Sequence, residues 1–353
     1  MKTIDLTYLQ VITESDIDGA AKESATEVVL AERVILTPSA KEALAARGIL
    51  VRTGGAAAAG ASGSAGAYGS AGAAVAGVDP ARLALFTSPE AQKVKEEICA
   101  VGRKLWMRQY VDGNGGNISY RVGPNEVICT PTLVSKSDLK PEDMCLVDLE
   151  GKQLAGGRPR TSEILLHLEI YKEVPEAKSV VHCHPPHATA YAITGKVPPT
   201  CVIPEYEVFI GKVAISPYET PGSGSFARTV IPYVKTHNTV LLANHGIVCW
   251  GDTVTHAEWY VEVVDTYCWT LMLAAQLGSP LSHISETKAA DLLAIKKKLG
   301  LPDPRHDNPD CAICDLPDQA GGIAISQRSC GPEDRETLIQ AITDQVMAAL
   351  GKK

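Results

Sequence analysis

The sequence has no run of 18 apolar residues, and its opening stretch, Met1-Lys2-Thr3-Ile4-Asp5, leads into acidic positions without the apolar core of a secretory signal. A membrane-spanning helix needs about 20 apolar residues, so no segment is read as spanning a membrane. Positive charge is also short, with 33 Lys and Arg against 41 Asp and Glu and a formal net charge of −8. That balance argues against a nucleic-acid partner, which would require a basic face, and any anionic substrate must be met by local positive charge. Ten cysteines follow no scaffold-like spacing in a chain of 353 residues, long enough to build a core without covalent staples. Reduced thiols in a cytosolic protein are therefore expected, with Cys311-x-x-Cys314 incidental because no second such pair accompanies it.

What is present centres on Val180-Val181-His182-Cys183-His184. The β-branched lead predicts a strand, on which residues two apart share a face, so His182 and His184 can hold one metal ion. One His-x-His is a weak signal, and paired core or surface histidines are the bland alternative. Two further groups strengthen it: Glu163 at the start of a helical pattern, and His245 in the apolar run of residues 240–246, read as a strand. Three neutral imidazoles and a carboxylate suit Zn2+ with a position left for substrate. Taken alone, Glu163 would read as a first-turn acid complementing a helix dipole.

Around this centre the chain divides. Residues 1–55 read as a small α/β module, with Thr37 capping a helix that carries Pro38 and stops at Gly48, better suited to docking or targeting than to catalysis. Residues 56–77, almost all Ala, Gly and Ser, read as a flexible tether. The main domain spans 78–299 and opens with a helix capped by Ser88. The Gly113–Ser119 stretch could cradle phosphate through its glycine N–H groups, or be a plain turn before a strand. Thr161 and Ser162, preceded by Arg158 and Arg160, predict a helix N-terminus able to bind an anion. Short strands are expected within 198–217, a helix over 226–235, and a long helix capped by Asp252. Residues 300–331 have no period and read as a tail, and 332–353 form an amphipathic helix.

Gly115-Gly116-Asn117-Ile118-Ser119, Thr130-Pro131-Thr132, Thr161-Ser162-Glu163, His182-Cys183-His184 and Asn244-His245-Gly246, in that order, resemble the class II aldolase/adducin family over about residues 85–280. The resemblance implies a three-layer α/β/α fold around a mostly antiparallel central sheet, with the small N-terminal α/β module added, usually in a homotetramer. It implies zinc on His182, His184 and His245, with Glu163 as a ligand that substrate displaces and that then acts as base. Asn117, Thr132, Thr161 and Ser162 would hold the phosphate of a sugar substrate, and Tyr206 is a candidate proton donor to a neighbouring subunit's site. The family loop commonly has Gly after the Thr at 132, where this chain has Leu133. The implied reaction is cleavage of L-fuculose 1-phosphate or L-rhamnulose 1-phosphate to dihydroxyacetone phosphate and lactaldehyde. Pentulose-phosphate epimerisation and a non-catalytic adducin-like role are the alternatives. The flanks resemble attachments on bacterial microcompartment enzymes, which implies shell proteins as partners and a microcompartment lumen as the location.

Overall fold

The computed structural model describes residues 2–6, 11–31, 34–53, 79–306, 308 and 311–314. The tether expected over 56–77 and the helix expected over 332–353 lie outside the described residues.

The described residues up to Thr53 form a unit with its own apolar cluster, from Leu6 to Ile49. Strands β1 (Thr3–Asp5), β3 (Glu27–Leu30) and β5 (Leu50–Thr53) make a parallel sheet in that order, and β2 (Val11–Ile12) pairs with β4 (Ile35–Leu36). Helices α1 (Glu14–Lys22) and α2 (Pro38–Arg47) connect them. Thr37 accepts the amide of Ala40, and Gly48 ends α2 in the left-handed region, as the sequence anticipates. An Asp16 carboxylate oxygen lies 3.7 Å from the Arg160 guanidinium, tying this unit to the following chain.

Helices α3 (Pro80–Phe86) and α4 (Pro89–Met107) lead into an antiparallel meander: β6 (Asn117–Arg121), β7 (Glu126–Cys129), β8 (Cys145–Asp148) and β9 (Gln153–Ala155). Then follow α5 (Ile164–Glu173), β10 (Ser179–Cys183), α6 (Pro186–Ile193), α7 (Pro204–Phe209), β11 (Ala214–Ser216) and α8 (Gly224–Arg228). The chain continues through β12 (Thr239–Leu242), β13 (Gly246–Gly251), α9 (Val254–Gln276) and α10 (Glu286–Lys298). The eight-stranded sheet runs β11-β12-β13-β10-β6-β7-β8-β9, parallel only between β11 and β12.

Alternation along the strands divides the interior in two. Val181, Cys183, Ile118 and Ile247 pack with α4, α6 and α9 on one face, whereas Val180, Val127, Val147 and Val248 pack with α5 and α8 on the other. Apolar cover on both faces gives the three-layer α/β/α arrangement. No helix among the described residues is long and apolar enough to cross a membrane.

Several local expectations are corrected. His245 lies in the turn between β12 and β13 rather than on a strand, and a helix, α7, occupies part of the segment expected to hold only strands. Thr253, not Asp252, caps α9, accepting the amide of His256 at 3.0 Å. Helix α8 starts earlier and is shorter than expected, with Ser223 as its cap. The thiols are not all reduced: Cys201 and Cys314 form a disulfide, which a reading of nearby sequence spacing could not find across 113 residues. Near it, Arg305 pairs with Glu207 at 2.8 Å and with Asp303 at 2.7 Å, and Lys296 donates to the carbonyl of Ile210 at 2.5 Å. The irregular segment after α10 is thus docked on α7. Cys99, Cys129, Cys145, Cys183, Cys249 and Cys268 are free and buried.

Candidate active site

The site forms where β10 ends in the middle of the sheet. His182 has the parity of Val180 and therefore faces α5, and it stands directly opposite Asn117 of β6 in the antiparallel register. Its Nδ1 donates to the carbonyl of Ile247 at 2.9 Å, which leaves the Nε2 lone pair facing the site. His184 follows the strand's end, and its Nε2 comes to 3.2 Å from that of His182. The β12–β13 turn brings in His245, whose ring centroid is 4.7 Å from His182 and 5.0 Å from His184. Asn244 takes a left-handed φ of 57° to make that turn.

Two glycines are required by close approach. A Cβ on Gly246 would stand 2.5 Å from the Cys183 carbonyl oxygen and 2.8 Å from the His184 ring. One on Gly116, whose φ is +71°, would stand 2.6 Å from Val111 and 3.0 Å from the His182 carbonyl oxygen. Both glycines thus let backbone pack against the histidines.

Among the described residues, His182, His184 and His245 are the one group of this kind able to hold a metal ion, with their ligand nitrogens within 4.8 Å of one another. Zinc–nitrogen bonds of about 2.0–2.1 Å in a tetrahedron place ligand atoms about 3.3 Å apart, and the His182–His184 separation of 3.2 Å matches that edge. Burial, reinforced by His245 and His184, holds His182 well below its ordinary pKa. Burial also lowers His184 and takes His245 to about 4, so all three are neutral donors at pH 7.

Glu163 closes the group. It occupies the N-cap position of α5, one to two residues later than the Thr161/Ser162 cap anticipated from sequence. Its carboxylate oxygens lie 3.4 Å from His182 Nε2 and 3.6 Å from His245 Nε2. Burial raises its pKa, opposed by a hydrogen bond from Asn117 at 2.8 Å and by the charge of Lys136. Lys136 is itself buried and lowered to about 8 by desolvation. Its ammonium donates to the carbonyls of Asn114 and Val134 at 3.1 and 2.9 Å, which joins the glycine loop to the 131–136 loop.

Of the residues expected to hold phosphate, Thr132 and Thr161 lie on adjacent ribbons, joined by Thr161 N–H to the Thr130 carbonyl at 3.1 Å and Thr132 N–H to the Pro159 carbonyl at 3.0 Å. Ser162 follows directly, with its backbone beside Gly222. Asn117 is buried and bonded to both Glu163 and His167. Leu133, where the family commonly has glycine, holds a left-handed φ of 57°, so the loop keeps a glycine-like bend. Tyr206 is 1% exposed and stacked on Tyr267 at 3.8 Å, which denies it to a neighbouring subunit. Sequence reading missed His167, although a histidine four residues after Glu163 shares its helix face.

Comparison with known proteins follows the same residues. A model of the Class II Aldolase and Adducin N-terminal domain matches residues 96–272. The 3-oxo-tetronate 4-phosphate decarboxylase of Haemophilus influenzae is 33% identical over 202 residues, which cover 56% of this chain and 95% of that protein. The L-fuculose phosphate aldolase of Methanococcus maripaludis is 37% identical over 169 residues, 48% of this chain and 91% of that one. Among solved structures, YgbL of Escherichia coli, described as a putative aldolase/epimerase/decarboxylase, aligns with a TM-score of 0.53 at 26% identity over 57% of this chain and 98% of its own. An L-fuculose 1-phosphate aldolase aligns with a TM-score of 0.52 at 26% identity, covering 59% and 97%.

Proposed function

Because the chain belongs to the class II aldolase and adducin N-terminal domain family, and its relatives include a decarboxylase and aldolases, we propose that it is a zinc enzyme breaking the carbon–carbon bond between the α and β carbons of a ketone-bearing sugar phosphate. The observation that carries this reading is the Glu163 carboxylate set 3.4 and 3.6 Å from two of three clustered imidazoles. In this reading His182, His184 and His245 would hold the ion, which would supply a Lewis acid for the substrate's ketone oxygen. Glu163, its proton affinity raised by burial, returns a proton to the carbon that the departing fragment leaves electron-rich. Asn117, Thr132, Thr161 and Ser162 take the phosphate, with the α5 N-terminus adding a favourable dipole.

The first substrate proposed is a deoxyketose 1-phosphate, L-fuculose 1-phosphate or L-rhamnulose 1-phosphate, cleaved to dihydroxyacetone phosphate and lactaldehyde. A second reading, decarboxylation of a 3-oxo-acid phosphate, is favoured by the 33% relative matched over 95% of its length. The chemistry joins the two. Loss of CO2 from 3-oxo-tetronate 4-phosphate also leaves dihydroxyacetone phosphate, so both readings require the same phosphate, ketone and protonation site. Incubating the metal-loaded protein with each compound and assaying dihydroxyacetone phosphate, lactaldehyde and CO2 separates them. Lactaldehyde from a deoxyketose phosphate supports the aldolase, CO2 from the oxo acid the decarboxylase, and neither overturns both.

The homotetramer and a microcompartment address are proposals of a different kind. The second rests on the sequences of 1–55 and 332–353, where Leu338, Ile342, Val346 and Leu350 recur at four-residue steps. Fusing residues 332–353 to a fluorescent protein beside a co-expressed shell tests it, and diffuse fluorescence would refute it.

A further inference from the structure

Behind Glu163 runs a buried chain of hydrogen bonds that the reaction itself does not call for. On α5, Glu163, His167 and Tyr171 recur at four-residue steps and so share one face. On β6, Asn117 and Ser119 are two apart and share the face opposite. The two rows interlock. Asn117 Nδ2 donates to Glu163 Oε2 at 2.8 Å, and His167 Nε2 lies 2.6 Å from Asn117 Oδ1. His167 Nδ1 lies 2.7 Å from Ser119 Oγ, which lies 2.8 Å from the Tyr171 hydroxyl. His167, Ser119 and Tyr171 are completely buried.

The direction of these bonds is forced once Glu163 is ionised. A carboxylate only accepts, so Asn117 must turn its NH2 towards Glu163 and its carbonyl oxygen towards His167. The His167 ring then carries its hydrogen on Nε2, and Nδ1 accepts from the Ser119 hydroxyl. That hydroxyl oxygen is free to accept from Tyr171. If Asn117 turned over, its carbonyl oxygen would face the carboxylate and both would be acceptors.

We infer that His167, oriented by Ser119, is a positioning residue for the proposed base, because it fixes the Asn117 amide that aims Glu163 at the three-histidine cluster. This rests on the reading of Glu163 as base. His167 touches none of His182, His184 or His245 by hydrogen bond, so it acts through the carboxylate's orientation and leaves the three imidazoles in place to hold the metal. The same pinning leaves one Asn117 N–H for the substrate's phosphate.

The test uses full-length, metal-replete protein and dihydroxyacetone phosphate, following exchange of its carbon-bound hydrogen with deuterated solvent. His167→Leu removes the donor to Asn117, whereas His167→Gln keeps an N–H at the place of Nε2. His167→Leu is expected to lower the maximal exchange rate about 10- to 100-fold, with half-saturation within about threefold and metal per chain unchanged. His167→Gln should recover to within about fivefold of the wild type. Wild-type exchange in His167→Leu, or a His167→Gln as slow as His167→Leu, overturns the inference. Should His167→Leu not fold, Ser119→Ala decides: a several-fold slower maximal rate at unchanged half-saturation supports it, and an unchanged rate overturns it. Glu163→Gln runs alongside. Exchange surviving in Glu163→Gln, or absent from the wild type, overturns the reading of the base and this inference with it, while its loss there beside an unaffected His167→Leu overturns the inference alone.

Discussion

Two buried groups of carboxylates in this chain have opposite company. Glu163 is held by a neutral amide beside two neutral imidazoles, and burial outweighs the pull of the Lys136 charge to raise its proton affinity. Asp303 is buried more deeply still, but the Arg305 guanidinium beside it overcomes desolvation and holds it at about 2. Burial is common to both, so burial does not decide which carboxylate can exchange a proton near neutrality. The neighbour does: a full cation in contact makes an inert fastener, whereas neutral donors leave the base usable. The fastener sits on the docked segment beside α7, and the usable acid sits at the end of the central strands.

Breaking each group should give different kinds of loss. The largest effect is expected from His182→Ala, which removes a ligand from the centre of the cluster. Metal analysis should show loss of the single bound ion and turnover below detection, with the protein still folded. Retained metal in that variant would remove His182 from the ligand set. On the other side, Arg305→Met leaves Glu207 as a buried charge without its cation and Asp303 with Lys296 alone, and should cost about 3–5 kcal/mol in chemical unfolding. The folded variant should keep metal and near-normal turnover at low denaturant. A loss of metal would join the two regions that the structure separates.

Acid sharpens the same contrast. In the metal-free protein, burial lowers His167 to about 3 and His245 to about 4, and it also takes His237, beneath Tyr233, to about 4. Each folded-state value lies below the ordinary value of about 6.5, so the stability these groups contribute is complete above that pH and is lost as pH falls towards 4. The slope is at most about 1.4 kcal/mol per pH unit for each histidine. Asp303 begins to contribute loss only below about pH 4, where its unfolded form takes up a proton. Unfolding of the metal-free protein followed from pH 7 to 3 should therefore weaken first through the histidines. A stability flat down to pH 4 would contradict the burial of these neutral rings. The smallest effect concerns Leu133, 56% exposed at a φ of 57°. Leu133→Gly should raise stability by up to about 1 kcal/mol by relieving left-handed strain, offset in part by glycine's freedom in the unfolded chain.

The contrast also separates what the sequence could show from what it could not. His182 and His184 were legible because strand period and metal spacing coincide, and the caps Thr37 and Ser88 because a cap is a local event. The α/β/α layering followed from the family motifs and is what the sheet displays. His245 was found as a ligand candidate but placed on a strand, because the apolar run of 240–243 hides the turn that Asn244 makes with a left-handed backbone. The His167 row was present as a four-residue period, yet its meaning needs the facing row on β6. The docked segment was illegible for another reason. Cys201 finds Cys314 and Glu207 finds Arg305 across about a hundred residues, a pairing that no local pattern encodes.

The central claim is that Glu163, facing the three histidines, moves the proton. Its most direct test compares wild type with Glu163→Gln, both loaded with zinc and given dihydroxyacetone phosphate in deuterated water. The account predicts deuterium at the hydroxymethyl carbon in the wild type and a rate about 10²- to 10⁴-fold lower in Glu163→Gln, at equal metal content. Exchange at the wild-type rate in Glu163→Gln would contradict it.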